Sequence, residues 1–95
     1  MAATFPPGTP ALVTGGTSGI GLAIARALVS AGCHVVATGL TDREAAVAGA
    51  AVDHPGFRAT ALDVRDGRAV RDLVDRLGAL TLLVNAAGIV QPGGA

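Results

Sequence analysis

The chain has 95 residues, 51% of them hydrophobic, and its 7 acidic and 7 basic side chains cancel to a net charge of +0. That length holds one domain or part of one, and a mean hydropathy of +0.56 argues against a disordered chain. With no net positive charge, 2 Phe and no Trp or Tyr, nothing reads as a basic patch or stacking platform for nucleic acid, and no apolar run approaches the ~20 residues of a membrane span.

Residues 1–10 carry Pro6, Pro7 and Pro10 but no positive charge, so they lack the regions of a signal peptide. They read as a loose leader, and the cytoplasm is the default location. A short apolar strand, Ala11 to Thr14, comes next. It runs into the glycine-rich turn Thr14-Gly15-Gly16-Thr17-Ser18-Gly19-Ile20-Gly21, from which a helix opens and continues to about Ala31. Ile20, Ile24, Ala27, Leu28 and Ala31 recur at helical spacing and are assigned to its apolar face. Gly32 is its expected stop.

A second strand spans His34 to Thr38 and is broken by Gly39. Thr41-Asp42-Arg43-Glu44 reads as a capping box that opens an alanine-rich helix ending near Val52. Asp53-His54-Pro55-Gly56 is turn chemistry. Cys33, the single cysteine, allows no internal disulfide and reads as a small buried hydrophobe. Together with His34 and His54 it is too sparse for a metal site.

The third strand is Phe57 to Leu62, followed by a polar loop from Asp63 to Gly67. A third helix has Val70, Leu73, Val74 and Leu77 on one face, with Asp66 as its cap and Gly78 as its end. Arg58, Arg65, Arg68, Arg71 and Arg76 are expected to share a solvated face with Asp66, Asp72 and Asp75, including an i, i+4 pair between Asp72 and Arg76. The apolar run Leu80 to Val84 is a fourth strand, expected to be covered on both faces. Gln91 to Ala95 is an open loop, so the globular part is residues 11–90.

The sum is an α/β chain, β-α-β-α-β-α-β. Short right-handed crossovers give an open parallel sheet of order 3-2-1-4 with helices on both faces. The strand order reverses between strands one and four, and ligands bind at such a switch point. Three motifs reach it. The glycine turn presents the unpaired N–H groups and positive dipole end of a helix start, which favour a phosphate. Gly15, Gly19 and Gly21 supply unusual backbone angles and leave no side chain in the way. Asp63-Val64 offers a carboxylate that either accepts from an adenine amino group or satisfies N–H groups of its own loop. In Asn85-Ala86-Ala87-Gly88, Asn85 can pin neighbouring strands, and the small residues after it let a ribose or nicotinamide approach.

Taken in order and at this separation, the three motifs resemble those of the short-chain dehydrogenase/reductase family, over nearly all of the chain from Ala11 onward. The resemblance implies a Rossmann-like fold, a bound NAD or NADP, and hydride transfer between nicotinamide and an alcohol or carbonyl. It implies that Gly15, Thr17, Ser18, Gly19, Ile20 and Gly21 hold the pyrophosphate. Asp63 and Val64 then contact the adenine, and Asn85, Ala86 and Gly88 the ribose side. The family's proton relay is a Tyr-x-x-x-Lys pair with a preceding Ser and a further Asn. This chain has no Tyr and no Lys, and Ser18 and Ser30, its only serines, do not match the catalytic Ser. The chain therefore reads as the N-terminal, cofactor-binding half of such an enzyme, inactive alone. The alternatives are a stand-alone dinucleotide-binding module, or half of an assembly in which a second chain or copy pairs with the apolar edge Leu80, Leu82, Leu83 and Val84. Thr38-Gly39-Leu40 carries neither the acid of an NAD site nor the Arg of an NADP site. Asp42 and Arg43 just after it are either ribose and phosphate partners or first-turn helix residues.

Overall fold

Residues 5–86 are described by a computed structural model. Seven elements alternate along them: β1 (Pro10–Thr14), α1 (Gly19–Ser30), β2 (His34–Gly39), α2 (Asp42–Val52), β3 (Phe57–Ala61), α3 (Gly67–Leu77) and β4 (Leu82–Asn85). The strands form one all-parallel sheet in the order β3-β2-β1-β4. Each strand's side chains alternate between two faces. Ala11, Val13, Val35, Ala37 and Phe57 pack on one side with Ala25 and Val29 of α1 and Ala48 of α2. Leu12 and Leu62 pack on the other with Leu73 of α3, joined by Val36, Val70, Val74 and Leu77. The expected Rossmann-like architecture, with helices on both faces, is present.

The helix ends follow local chemistry. α1 closes through a Schellman arrangement: Gly32 sits at φ +95°, its N–H donates to Val29 O, and the Cys33 N–H donates to Leu28 O. Asp66 caps α3 by accepting from the Arg68 and Ala69 N–H groups. Thr41 caps α2, with its Oγ1 accepting from the Glu44 N–H at 3.1 Å. The return bond of this box reaches one residue further than the motif predicts, since Glu44 Oε1 accepts from Leu40 rather than Thr41. Ahead of β1, the Thr9 hydroxyl donates to Pro6 O at 2.6 Å, and the Gly8 N–H donates to Gly32 O.

Four details differ from expectation. The most buried face of α1 is Gly21, Ala25 and Val29; of the row expected there, Leu28 packs at the margin of the core, whereas Ile20 is 63% exposed. Small residues let the helix lie close to the sheet, and that outweighs burying one isoleucine. Gly39 does not break β2 but extends it, pairing with Ala61. A Cβ there would fall 2.5 Å from Thr17 Oγ1, so this glycine makes room for the turn after β1. β4 begins at Leu82 rather than Leu80, because Leu80 instead joins the cluster under α3. Finally, β4 is covered on one face only: Leu82 and Val84 pack against the α1 side, while Leu83 is 63% exposed. α3 covers Leu12 and Leu62 but leaves Leu83 largely exposed.

Candidate functional site

The parallel register brings the C-terminal ends of all four strands to one edge. Thr14 of β1 is level with Thr38 of β2 and Asn85 of β4, and Gly39 with Ala61 of β3. The turn after β1 rises from this edge and is tied to β2 by its main chain. The Gly16 N–H donates to Thr38 O at 2.9 Å, and the Gly15 N–H donates to Thr38 Oγ1 at 3.3 Å.

Different glycines of this turn do different work. Gly15 and Gly19 lie at φ +67° and +55°, backbone that costs other residues free energy. Gly19 faces open space, with nothing within 4 Å of a Cβ built on it. Gly21 is buried against the turn instead. A Cβ on it would lie 2.7 Å from the Gly15 carbonyl carbon, so it sets how closely α1 approaches the turn, while its N–H stays among the unpaired amides of the helix start. Gly16 has a similar packing role, its Cβ position lying 2.8 Å from both Ala37 Cβ and Val13 O.

At the start of α1, Ser18 occupies the N-cap position, but its side chain does not cap the helix. The first backbone bond is from Leu22 N–H to Ser18 O. The N–H groups of Gly19, Ile20 and Gly21 have no acceptor among the described residues. Ser18, Gly19 and Ile20 are exposed, so this helix mouth is open. Unpaired amides and the positive end of the helix dipole coincide there, an arrangement that suits an anion.

Beside the mouth lies a cleft of about 460 Å³ over the ends of β1, β2 and β3. Gly15, Thr17 and Ser18 form one wall and Asp63, Val64 and Arg65 another, while Leu40 and Glu44 close the α2 side. Asp63 does not stand alone. Both its oxygens are held by Arg65, through the side chain at 2.9 and 3.0 Å and through the backbone N–H at 2.9 Å. Those bonds hold its carboxyl at about 2, against an ordinary 3.8, with the side-chain bond the larger cause. Arg65 keeps its side chain 81% exposed, as expected of a solvated arginine, but pairs with Asp63; the expected Asp72–Arg76 pair is not closed among the described residues, where Asp63–Arg65 is the salt bridge found.

On the other side of the switch point, the Thr14 hydroxyl donates to Asn85 Oδ1 at 2.9 Å, and the Ala86 N–H donates to Thr14 O at 3.0 Å. Asn85 therefore pins β4 to β1, and Ala86 begins the segment that leaves this edge. Gly88 lies outside the described residues. The sequence-predicted residues Gly15, Thr17, Ser18, Asp63 and Val64 share one cleft; Gly19 and Ile20 stand at the helix mouth, Gly21 beneath it, and Asn85 and Ala86 across β1. Thr38 and Leu40 enter the sequence reading only as part of a segment lacking an NAD-type acid or an NADP-type Arg, and Glu44 only as part of a capping box; none is named there as a site residue. Their signal was available in part, since Thr38 ends an apolar strand and Glu44 is the third helical position after a Thr cap.

Cys33 is buried, which pushes its thiol up and away from thiolate chemistry. No group of three or more potential metal ligands occurs among the described residues, and no helix there is long and apolar enough to cross a membrane.

Comparison with known proteins agrees with the geometry. The short chain dehydrogenase family model matches residues 9–95. The chain is 35% identical over 92 residues to 2,3-dihydro-2,3-dihydroxybenzoate dehydrogenase of Bacillus subtilis, covering 90% of this chain and 35% of that protein. It is 43% identical over 86 residues to sorbitol dehydrogenase of Cereibacter sphaeroides, covering 86% of this chain and 33% of that one. A solved structure of a short chain dehydrogenase/reductase family protein superposes with a TM-score of 0.79 at 42% identity, over 87% of this chain and 35% of the other. The chain thus spans about a third of the length of the relatives it matches. A parallel sheet of order 3-2-1-4, an open glycine turn at its switch point and this breadth of similarity lead to one assignment: the chain belongs to the short-chain dehydrogenase family.

Proposed function

We propose that this chain binds NAD or NADP at the C-terminal edge of its sheet, as the cofactor-binding part of an oxidoreductase acting on an alcohol or carbonyl. The observation that carries this reading is the open mouth of α1, where three amides lack a protein acceptor and Gly19 leaves the approach clear. When bound, the nicotinamide accepts or delivers a hydride. The chain's own residues position it. Gly19, Ile20 and Gly21 donate their N–H groups to the pyrophosphate, and the Ser18 hydroxyl, unused as a cap, supplies a further donor. Thr17 and Gly15 hold the turn in place. Val64, 41% exposed at the cleft, provides apolar contact to the adenine. Asp63 keeps an ionised acceptor beside it, oriented by Arg65. Asn85, Ala86 and Gly88 serve the ribose and nicotinamide side.

With no Tyr and no Lys in its sequence, this chain has no Tyr–Lys proton relay of its own, so we expect binding without turnover. Titration calorimetry and NADH fluorescence test the pair of statements. Saturable binding with no oxidation of NADH in the presence of simple ketones supports them. Absence of binding at millimolar cofactor refutes the first, and turnover refutes the second. A cytoplasmic location, where such cofactors are abundant, accompanies this reading.

A second reading concerns assembly. β4 pairs only with β1 among the described residues, and it exposes Leu83 beside an apolar groove that includes Leu12, Val70 and Val74. Unpaired apolar edges recruit further strands, so a second copy of this chain is proposed to pair there. Sedimentation showing a monomer at high concentration refutes it.

A further inference from the structure

The cleft beside the α1 mouth carries charge that the dinucleotide reading does not use. The charged side chains lining it are Glu44, Asp63 and Arg65. Arg65 is committed, with Nε and Nη2 both donating to the Asp63 carboxylate, so the guanidinium and that carboxylate offset each other. Glu44 has no such counter-ion among the described residues. It sits on the first turn of α2 and reaches back to the end of β2, where Oε1 accepts from the Leu40 N–H at 3.0 Å. That bond places an uncompensated carboxylate at the position where β2 itself provides only Gly39 and Leu40. Asp42 and Arg43, although adjacent in sequence, do not line the cleft.

We infer that Glu44 is a specificity-determining residue that accepts from the 2′-hydroxyl of an adenosine ribose and repels a 2′-phosphate, making this an NAD rather than an NADP site. The inference rests on the dinucleotide reading above. Its physical basis is the sign of the charge. A 2′-phosphate brings about −1.5 to −2 charges, and it meets a surplus of one carboxylate. Like charges brought close together repel even in water-like surroundings, so discrimination of about tenfold or more is expected. A ribose hydroxyl instead gains a charge-assisted hydrogen bond.

The test measures affinities of the intact chain for NADH, NADPH, 5′-AMP and 2′,5′-ADP by calorimetry, for wild type and Glu44→Gln. Glutamine keeps an oxygen that can accept from Leu40, so the end of α2 is retained, and an unchanged circular-dichroism spectrum checks this. The expected result is NADH over NADPH, and AMP over 2′,5′-ADP, by about tenfold or more in wild type. In Glu44→Gln both ratios fall to about threefold or less. Equal or tighter binding of the 2′-phosphorylated ligand by wild type overturns the inference, and that comparison needs no variant. Ratios that persist in a folded Glu44→Gln overturn the role of Glu44. Binding of none of the four ligands overturns the dinucleotide reading, and this inference with it.

Discussion

Replacing Gly21 by alanine probes the packing that keeps the α1 mouth open. The added Cβ would lie 2.7 Å from the Gly15 carbonyl carbon and 3.1 Å from the Gly16 Cα, and closer still to the Gly15 carbonyl oxygen. Carbon pairs rest at about 3.5–4.0 Å, so the turn and the first turn of α1 have to separate by about an ångström. All three neighbours are main-chain atoms, and no rotamer relieves them. Overpacking of this kind costs about 1–3 kcal/mol, and a backbone clash belongs at the upper end. Alanine's better helix propensity returns up to ~1 kcal/mol. The net expectation is a loss of about 2 kcal/mol, or about 10 °C in Tm for a domain this small. Two other glycines serve as controls. Gly49 lies inside α2 with nothing within 4 Å of a Cβ and no left-handed φ, so Gly49→Ala should gain about 0.5–1 kcal/mol. Gly19→Ala meets no atom but must hold φ +55°, a cost of about 1 kcal/mol. Differential scanning calorimetry should rank Tm as Gly49→Ala, wild type, Gly19→Ala, Gly21→Ala. A Gly21→Ala variant that melts with wild type would show that α1 does not lie against the turn as described.

Other expectations follow from single contacts. Asp63 should titrate at about 2, and in Arg65→Ala it should move up toward 3.8; carbon-detected NMR of the side-chain carboxyl reads both. Because the folded-state value is depressed, the pair's stabilisation is present above about pH 4 and is lost as pH falls through about 2, and its exposure keeps it small and salt-sensitive. Asn85→Ala removes the acceptor of the Thr14 hydroxyl and should cost about 1 kcal/mol in urea unfolding, with no change in helix content. Cys33, buried at the end of the α1–β2 connection, should react with a thiol reagent only at the rate of unfolding; a fast native-state reaction would contradict its placement.

Much of this architecture is legible in the residue pattern, because hydrophobic periodicity and turn chemistry are local. The alternation of short apolar runs with amphipathic stretches marks all seven elements, and the caps at Thr41, Asp66 and Gly32 stand where their residue types indicate. The parallel order follows from short connections and handedness. What stayed hidden depends on three-dimensional approach. The inner face of α1 goes to Gly21 and Ala25 because contact distance, not side-chain size, decides it. Gly39 looks like a strand breaker until Thr17 is found lying against it. The Asp63–Arg65 fork forms in the loop between β3 and α3, where no regular backbone period fixes which side chains meet. Glu44 appears in sequence as half of a capping box, and only its return bond to Leu40, one residue beyond the cap, places its carboxylate at the cleft.

The central claim is that the amides at the start of α1 hold the pyrophosphate. Amide chemical-shift mapping during titration with NADH tests it directly. The account predicts that the largest perturbations fall on Gly19, Ile20 and Gly21, with smaller ones at Asp63 and Val64. Perturbations centred instead on His34, Val35 and Gly56, around the hollow at the opposite end of the strands, would contradict it.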